Sequence, residues 1–203
     1  MKHRSLVVVT AGLSQPSSTR LLADRLSAAA EDRAAGLGVA LTVRVVELRD
    51  VAHDLMNHML TGFPPAALRE VLDAVAAADG LIAVTPVFNA SYSGLFKSFF
   101  DVVDKDALAG KPVVVAATGG TARHSLVLEH ALRPLFAYLR AAVMPTAVFA
   151  ASEDWGGDEA EGQLGGRIDR AGRELARELE AREPAEVADP FALTASFEEL
   201  LAG

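Results

Sequence analysis

The sequence predicts an α/β fold, a doubly wound parallel sheet with helices on both faces. Apolar runs rich in β-branched residues alternate along the chain with amphipathic stretches, the pattern of strand–helix–strand units. The first run, SLVVVTA at residues 5–11, is continuous rather than alternating, as a strand covered on both faces requires. With 203 residues and 51% hydrophobic content, the chain can bury a sizeable core. One domain is expected over residues 1–182, followed by an acidic tail segment at 183–203.

Each element has a local reason. After the first strand, residues 12–17 form a polar turn. From 18 to about 37, Leu21, Leu22, Leu26 and Ala29/Ala30 hold one helix face, which Gly36 and Gly38 end. Residues 39–47 form the second strand. Residues 48–63 read as a connection of weak periodicity, and Pro64-Pro65 open a helix to about residue 78. GLIAVT at 80–85 is the third strand, 86–93 a loop and 94–103 a helix. Residues 111–117 form the fourth strand, which opens into Thr118-Gly119-Gly120-Thr121. A helix then covers about 122–139 despite Pro134, 143–150 is the fifth strand, and 158–182 is a long charged helix. Pro184 and Pro190 hand over to a segment whose residues 197–201 suit a last docked turn.

Composition excludes several kinds of chemistry. The chain contains no cysteine, so disulfides, thiolate metal sites and cysteine nucleophiles are out. Five scattered histidines leave little metal chemistry. His53 and His58, five apart, do not share a helix face at ligand spacing, and no metal is expected. Residues 1–150 carry 14 basic against 13 acidic side chains, and residues 151–203 carry 5 against 14. With no basic stripe, neither nucleic acid nor an anionic membrane is an expected partner. No apolar run approaches the ~20 residues of a membrane span, and the run after Met1-Lys2-His3-Arg4 is too short for a signal peptide, so a cytoplasmic protein is expected.

Two doubly wound arrangements fit this order, and the loops decide between them. Gly36-Leu37-Gly38 lacks the third glycine of a dinucleotide fingerprint and follows a helix, and no Walker loop exists. The first strand instead delivers Gly12-Leu13-Ser14-Gln15-Pro16-Ser17-Ser18-Thr19 into a helix start. Four hydroxyls in six residues, beside unsatisfied N–H groups and a partial positive charge, suit a terminal phosphate. The same residues also suit an ordinary helix cap with solvated neighbours. In a sheet of order 2-1-3-4-5, the loops after the third and fourth strands lie at the same carboxyl edge, where open α/β sheets bind ligands. The loop holding Pro86, Val87, Phe88 and Asn89 offers backbone amides beyond the proline and one aromatic face, and Thr118, Gly119, Gly120 and Thr121 let backbone approach closely, so a flat heteroaromatic ring fits between them. Three such loops favour a flavin mononucleotide in a flavodoxin-like sheet.

These segments resemble the NAD(P)H-dependent FMN reductases. The resemblance rests on 85–94 (Thr-Pro-Val-Phe-Asn-Ala-Ser-Tyr-Ser-Gly), extending to Lys97, on Ala107-Leu108-Ala109-Gly110-Lys111, on 117–124 (Ala-Thr-Gly-Gly-Thr-Ala-Arg-His) and on 129–134 (Glu-His-Ala-Leu-Arg-Pro). It runs over about residues 5–150 and is nearest to the sulfonate-utilisation reductases that feed reduced FMN to partner monooxygenases. The resemblance implies FMN and NADPH (or NADH) as ligands. Implied FMN-binding positions are Ser14, Gln15, Ser17, Ser18, Thr19, Pro86, Val87, Phe88, Asn89, Thr118, Gly119, Gly120 and Thr121. It also implies a homodimer or homotetramer with flavin sites near subunit boundaries. Two departures stand out. Many relatives have Gly-Ser-x-Arg in the first loop, whereas here no positive charge precedes Arg20, and Phe88 stands where tyrosine is usual.

The implied reaction passes a hydride from nicotinamide C4 to flavin N5. It needs a stack at roughly 3–3.5 Å and donors near flavin N1 and O2, which the amides of Gly119, Gly120 and Thr121 would provide, and no side-chain acid or base is expected. Arg123 reads either as an attractor of an NADPH 2′-phosphate or as a solvated first-turn residue. His130 reads either as an extra residue held in a π-bulge, as that branch often carries at its subunit contact, or as an ordinary polar helix residue. Alternative activities on this fold are a quinone, azo or metal-oxyanion reductase and a non-enzymatic flavodoxin-type electron carrier.

Overall fold

The computed structural model describes residues 1–156 and 158–185, apart from the side chains of residues 158–161. Residues 186–203, and with them the expected turn at 197–201, lie outside the described residues. The first strand, β1 (Lys2–Thr10), leads through the first loop into α1 (Ser18–Gly36). β2 (Val39–Glu47) pairs with β1 in parallel along its whole length, from Lys2 opposite Val39 to Thr10 opposite Glu47. β1 starts three residues earlier than expected because its basic end has a use. Arg4, 7% exposed, donates to the carbonyls of Leu179 at 3.0 Å and Arg182 at 2.5 Å, unpaired groups at a helix C-terminus.

Residues 48–63 are not a bare connection. They form a 3₁₀ turn (Leu48–Val51) and a helix, α2 (Ala52–Thr61), that fully buries only Leu55, so no inward-facing apolar period marks it. The next helix, α3 (Ala66–Ala77), and β3 (Gly80–Phe88) follow as expected. β3 runs on into the anticipated loop and turns back antiparallel as β4 (Ser91–Tyr92), with Val87 opposite Tyr92. The two turn residues, Asn89 at φ 48° and Ala90 at φ 70°, give the left-handed turn that a two-residue hairpin requires.

Beyond α4 (Gly94–Val102), β5 (Pro112–Gly119) pairs with β3 in parallel. The expected helix at 122–139 is broken into a 3₁₀ turn (Ala122–His124), a π-helical turn (Leu128–Leu132) and α5 (Arg133–Tyr138). The Arg133 amide reaches back five residues to the Leu128 carbonyl. The fifth strand is split into β6 (Ala142–Val143) and β7 (Val148–Ala151), both parallel to β5. Pro145 has no N–H for a ladder, and Arg133 takes the Met144 and Pro145 carbonyls while Glu174 accepts from the Thr146 amide and hydroxyl, both at 2.7 Å. α6 (Asp158–Ala181) closes the described chain.

The sheet order is β2-β1-β3-β5, with β6 and β7 beyond β5, the flavodoxin-like order expected. Alternate residues of each strand face opposite layers. Val7, Val9, Leu81, Ala83, Val113 and Val115 pack under α2 to α5, and Leu6, Val8, Ile82, Val84, Val114 and Ala116 pack under α1 and α6. No helix among the described residues is long and apolar enough to cross a membrane.

Candidate functional site

The loops after β1, β3 and β5 converge at the carboxyl edge of the sheet, where they enclose a cleft of about 330 Å³. Of the positions singled out in the sequence, Ser14, Ser18, Thr19, Pro86, Val87, Phe88, Thr118, Gly119 and Gly120 line it. Gln15, Ser17, Asn89 and Thr121 do not. Gly12, Leu13 and Ser152 complete the wall. Ser152 follows β7 and lies far from the other loops in sequence, which is why no local motif announced it.

The first loop is built for close approach. A Cβ on Gly12 would stand 2.1 Å from Ser17 Oγ, so only glycine lets the loop fold back onto the start of α1. Ser17 is the N-cap, its Oγ accepting from the Arg20 amide at 3.2 Å, so the capping role is filled by this residue. Thr19, 2% exposed, shares a 2.8 Å hydrogen bond with Thr118 of β5 and so ties the first loop to the third. Each hydroxyl keeps bonding capacity. Ser17 O–H remains free to donate, and one O–H of the Thr19–Thr118 pair does too. Ser18 is exposed at the helix start.

The other walls are held from behind. Thr85 Oγ1 accepts from the Ser93 amide at 3.1 Å and donates to the Pro86 carbonyl at 3.0 Å, pinning the base of the hairpin. Ser93 in turn caps α4 by accepting from the Phe96 amide at 3.2 Å. Phe88 stays about half exposed at the rim, 46% accessible. A Cβ on Gly119 would lie 2.8 Å from the Phe149 ring of β7, whereas one on Gly120 would meet nothing within 4 Å. Gly119 therefore packs against the sheet, and Gly120 leaves its backbone open.

Charge reaches the first loop from outside it. Asp24, and after it Glu47, raise the pKa of the Arg20 guanidinium above its ordinary value against the opposing effect of partial burial. Glu47 Oε1 lies 2.5 Å from Arg20, and its Oε2 lies 3.0 Å from Nε of Arg49. Arg49, on the 3₁₀ turn after β2, donates to the Ser14 carbonyl at 3.5 Å. The Gln15 carboxamide, oriented with its oxygen toward that guanidinium, accepts from Nη1 at 3.0 Å and from Nη2. Nothing in the local sequence pattern links Arg49 to this loop, since the link exists only once β2 lies beside β1.

A larger cavity of about 670 Å³ lies at the opposite edge, beside Asp79, Lys111 and Arg182. Its polar groups are already engaged. Lys111 donates to the Val75 and Ala76 carbonyls, Asp79 accepts from Ser5 and the Ala185 amide, and Arg182 holds Glu178 and the Gly110 carbonyl. Size alone does not make it the site, because Lys111, Asp79 and Arg182 are spent on the fold. No cluster of three or more His, Asp or Glu able to hold a metal occurs among the described residues.

Residues 5–156 match the family described as NADPH-dependent FMN reductase. An FMN reductase (NADPH) of Pseudomonas aeruginosa is 41% identical over 150 residues, 74% of this chain and 78% of that one. The NADH-dependent FMN reductase SfnE of Pseudomonas putida is 37% identical over the same shares. An oxidoreductase structure from Corynebacterium diphtheriae superposes with a TM-score of 0.87 at 50% identity, covering 90% of this chain and 100% of that one. An NADH:FMN oxidoreductase structure in its apo form gives a TM-score of 0.72 at 30% identity, with 85% and 95% covered.

Proposed function

This chain belongs to the NADPH-dependent FMN reductase family, and we propose that it reduces FMN with NAD(P)H and hands the reduced flavin to a flavin-dependent monooxygenase. The observation that carries the reading is the convergence of the β1, β3 and β5 loops on one cleft whose walls differ in chemistry. At one end stand the hydroxyls of Ser14, Ser18 and Thr19 and the start of α1, which suit a phosphate. At the other, Pro86–Phe88 face Gly119 and Gly120 across a gap with little side-chain bulk, which suits a flat ring. The close packing at Gly12 brings amides and hydroxyls together as a phosphate cradle needs.

Bound FMN would supply the hydride acceptor at its N5. The chain's own part is to bind and orient. The first loop would fix the phosphate, the hairpin would set the ring plane, and the Gly119, Gly120 and Thr121 amides would stabilise charge gathering at the pyrimidine edge. No side chain is assigned as proton donor. Release to a monooxygenase is what the sequence resemblance implies, and the exposed rim at Phe88 leaves the cleft open for it.

We further propose that two or four copies assemble through α4, α5 and the π-helical turn. Leu126 is 61% and Tyr138 85% exposed there, beside half-buried Leu95, Val102, Ala131 and Leu135.

The test is NADPH and NADH oxidation by the purified protein with FMN absent and then added. A rate that rises with FMN supports the reading. No rate with FMN, or a rate only with a quinone, overturns it in favour of a carrier or a quinone reductase.

A further inference from the structure

We infer that Arg49 is the cation of the flavin-phosphate end, supplied across the sheet edge from the turn after β2. The inference rests on the reading that the first loop holds the FMN phosphate. That loop contains no basic residue: Leu13, Ser14, Gln15, Pro16, Ser17, Ser18 and Thr19 are all uncharged. The first charge after them, Arg20, is spent on Asp24 at 2.8 Å and Glu47 at 2.5 Å. A dianionic phosphate would therefore meet N–H and O–H dipoles but no cation from its own loop.

Arg49 fills that gap by position. Its side chain is four-fifths buried between the β2 end and the first loop. Its Nε lies 3.0 Å from Glu47 and 3.6 Å from Asp50, and the latter carboxylate is 69% exposed. Arg20 and Arg49 share Glu47, with Asp24 beside the first and Asp50 beside the second, so what sets Arg49 apart is where its Nη atoms go. The Nη atoms point the other way, to the Ser14 carbonyl and the Gln15 amide. Ser14 itself lines the cleft. The guanidinium thus reaches the cleft wall through Ser14 and lies beside the loop that would hold the phosphate. It also holds the Ser14 carbonyl and the Gln15 side chain, bracing the loop from behind. Arg49 is therefore a positioning residue that acts through the loop and adds its charge from behind it. A planar fork suits both tasks, because one edge meets Glu47 while the other meets the loop.

The test compares FMN with riboflavin, which has the same ring and no phosphate. Dissociation constants for both are measured by fluorescence quenching for the wild type, Arg49→Gln and Arg49→Lys, with thermal unfolding as the fold control. Arg49→Gln keeps a donor for the Ser14 carbonyl and loses the charge. It should weaken FMN binding by tenfold or more and leave riboflavin binding within twofold. Arg49→Lys should recover most of the FMN preference. An unchanged FMN-to-riboflavin ratio in Arg49→Gln, or an equal loss for both ligands, overturns the inference. A wild type that binds FMN and riboflavin equally defeats instead the phosphate reading beneath it.

Discussion

At the scale of single residues, hydroxyls of the first loop hold the fold and keep donors to spare. Ser17 caps α1 and Thr19 bonds Thr118, yet each arrangement leaves an O–H to donate. The Ser17→Ala and Thr19→Ala double variant should therefore lose on two counts. Folding stability should fall by about 0.5–2 kcal/mol for the lost cap, and FMN affinity should fall by about 1–3 kcal/mol, as hydrogen bonds to a charged group are worth ~1.5–3 each. Denaturant unfolding and FMN titration read the two effects separately. A folded variant with unchanged FMN affinity would remove these hydroxyls from the site. The sequence displayed such residues because capping and phosphate binding both demand hydroxyls at a helix start. Arg49 was illegible for the opposite reason. Its role depends on β2 lying beside β1, a contact between residues 35 apart in sequence. Ser152 was hidden in the same way.

At the scale of elements, legibility followed burial. α3 lay where its apolar pattern put it, since Leu68, Val71 and Val75 turn one face to the core, and β2 lay at its expected residues although it fully buries only Val39 and Val46. α2 escaped notice because it turns Met56, Met59 and Leu60 to the surface and buries Leu55 alone. The fifth strand reads as continuous, but Pro145 divides it. The π-helical turn at Leu128–Leu132 accommodates one residue more than an α-helical turn, and His130 lies exposed within it. A deletion in a regular helix rotates everything beyond it by about 100°. Deleting His130 here should instead relax the π turn to α and keep Leu132 and Phe136 in the core. The expected result is a folded protein of near-native melting temperature that retains FMN through gel filtration better than the wild type. Aggregation, or a collapse in melting temperature, would show that the wide turn is not a tolerated insertion. On the opposite face, a Cβ on Gly172 would stand 2.8 Å from the Ala29 backbone, so α1 and α6 cross at van der Waals distance. Gly172→Ala should force the helices apart and cost about 1–3 kcal/mol, as overpacking does; an unchanged denaturation midpoint would mean that the crossing is loose.

At the scale of the whole molecule, two properties can be read against pH and concentration. Lys111, 7% exposed, holds the end of α3 through the Val75 and Ala76 carbonyls. Burial lowers its pKa from 10.5 to about 8, against the opposing pull of Asp79. Between those values the unfolded chain binds the proton that the folded chain has lost, so this group's contribution to stability rises with pH from about 8 to 10.5 and is a constant cost below 8. A neutral amine still has two N–H groups for two carbonyls, so the contact survives deprotonation. Relative to Lys111→Met, the wild type should gain on the order of 1–3 kcal/mol across that window; parallel curves would show that the lysine titrates normally. Assembly is the other property. The face formed by α4, α5 and the π-helical turn exposes Leu126 and Tyr138. Large exposed apolar groups are a cost to a free monomer and a gain to a closed, symmetric pair. A negative charge placed in such a contact meets its own copy across a two-fold axis, where its desolvation has no partner. Tyr138→Glu with Leu126→Glu should therefore turn a dimer or tetramer into a monomer at micromolar concentration by light scattering, with the melting curve of the subunit largely kept. A wild type that is already monomeric would end this reading, and a charged double variant that still assembles would move the interface to another face.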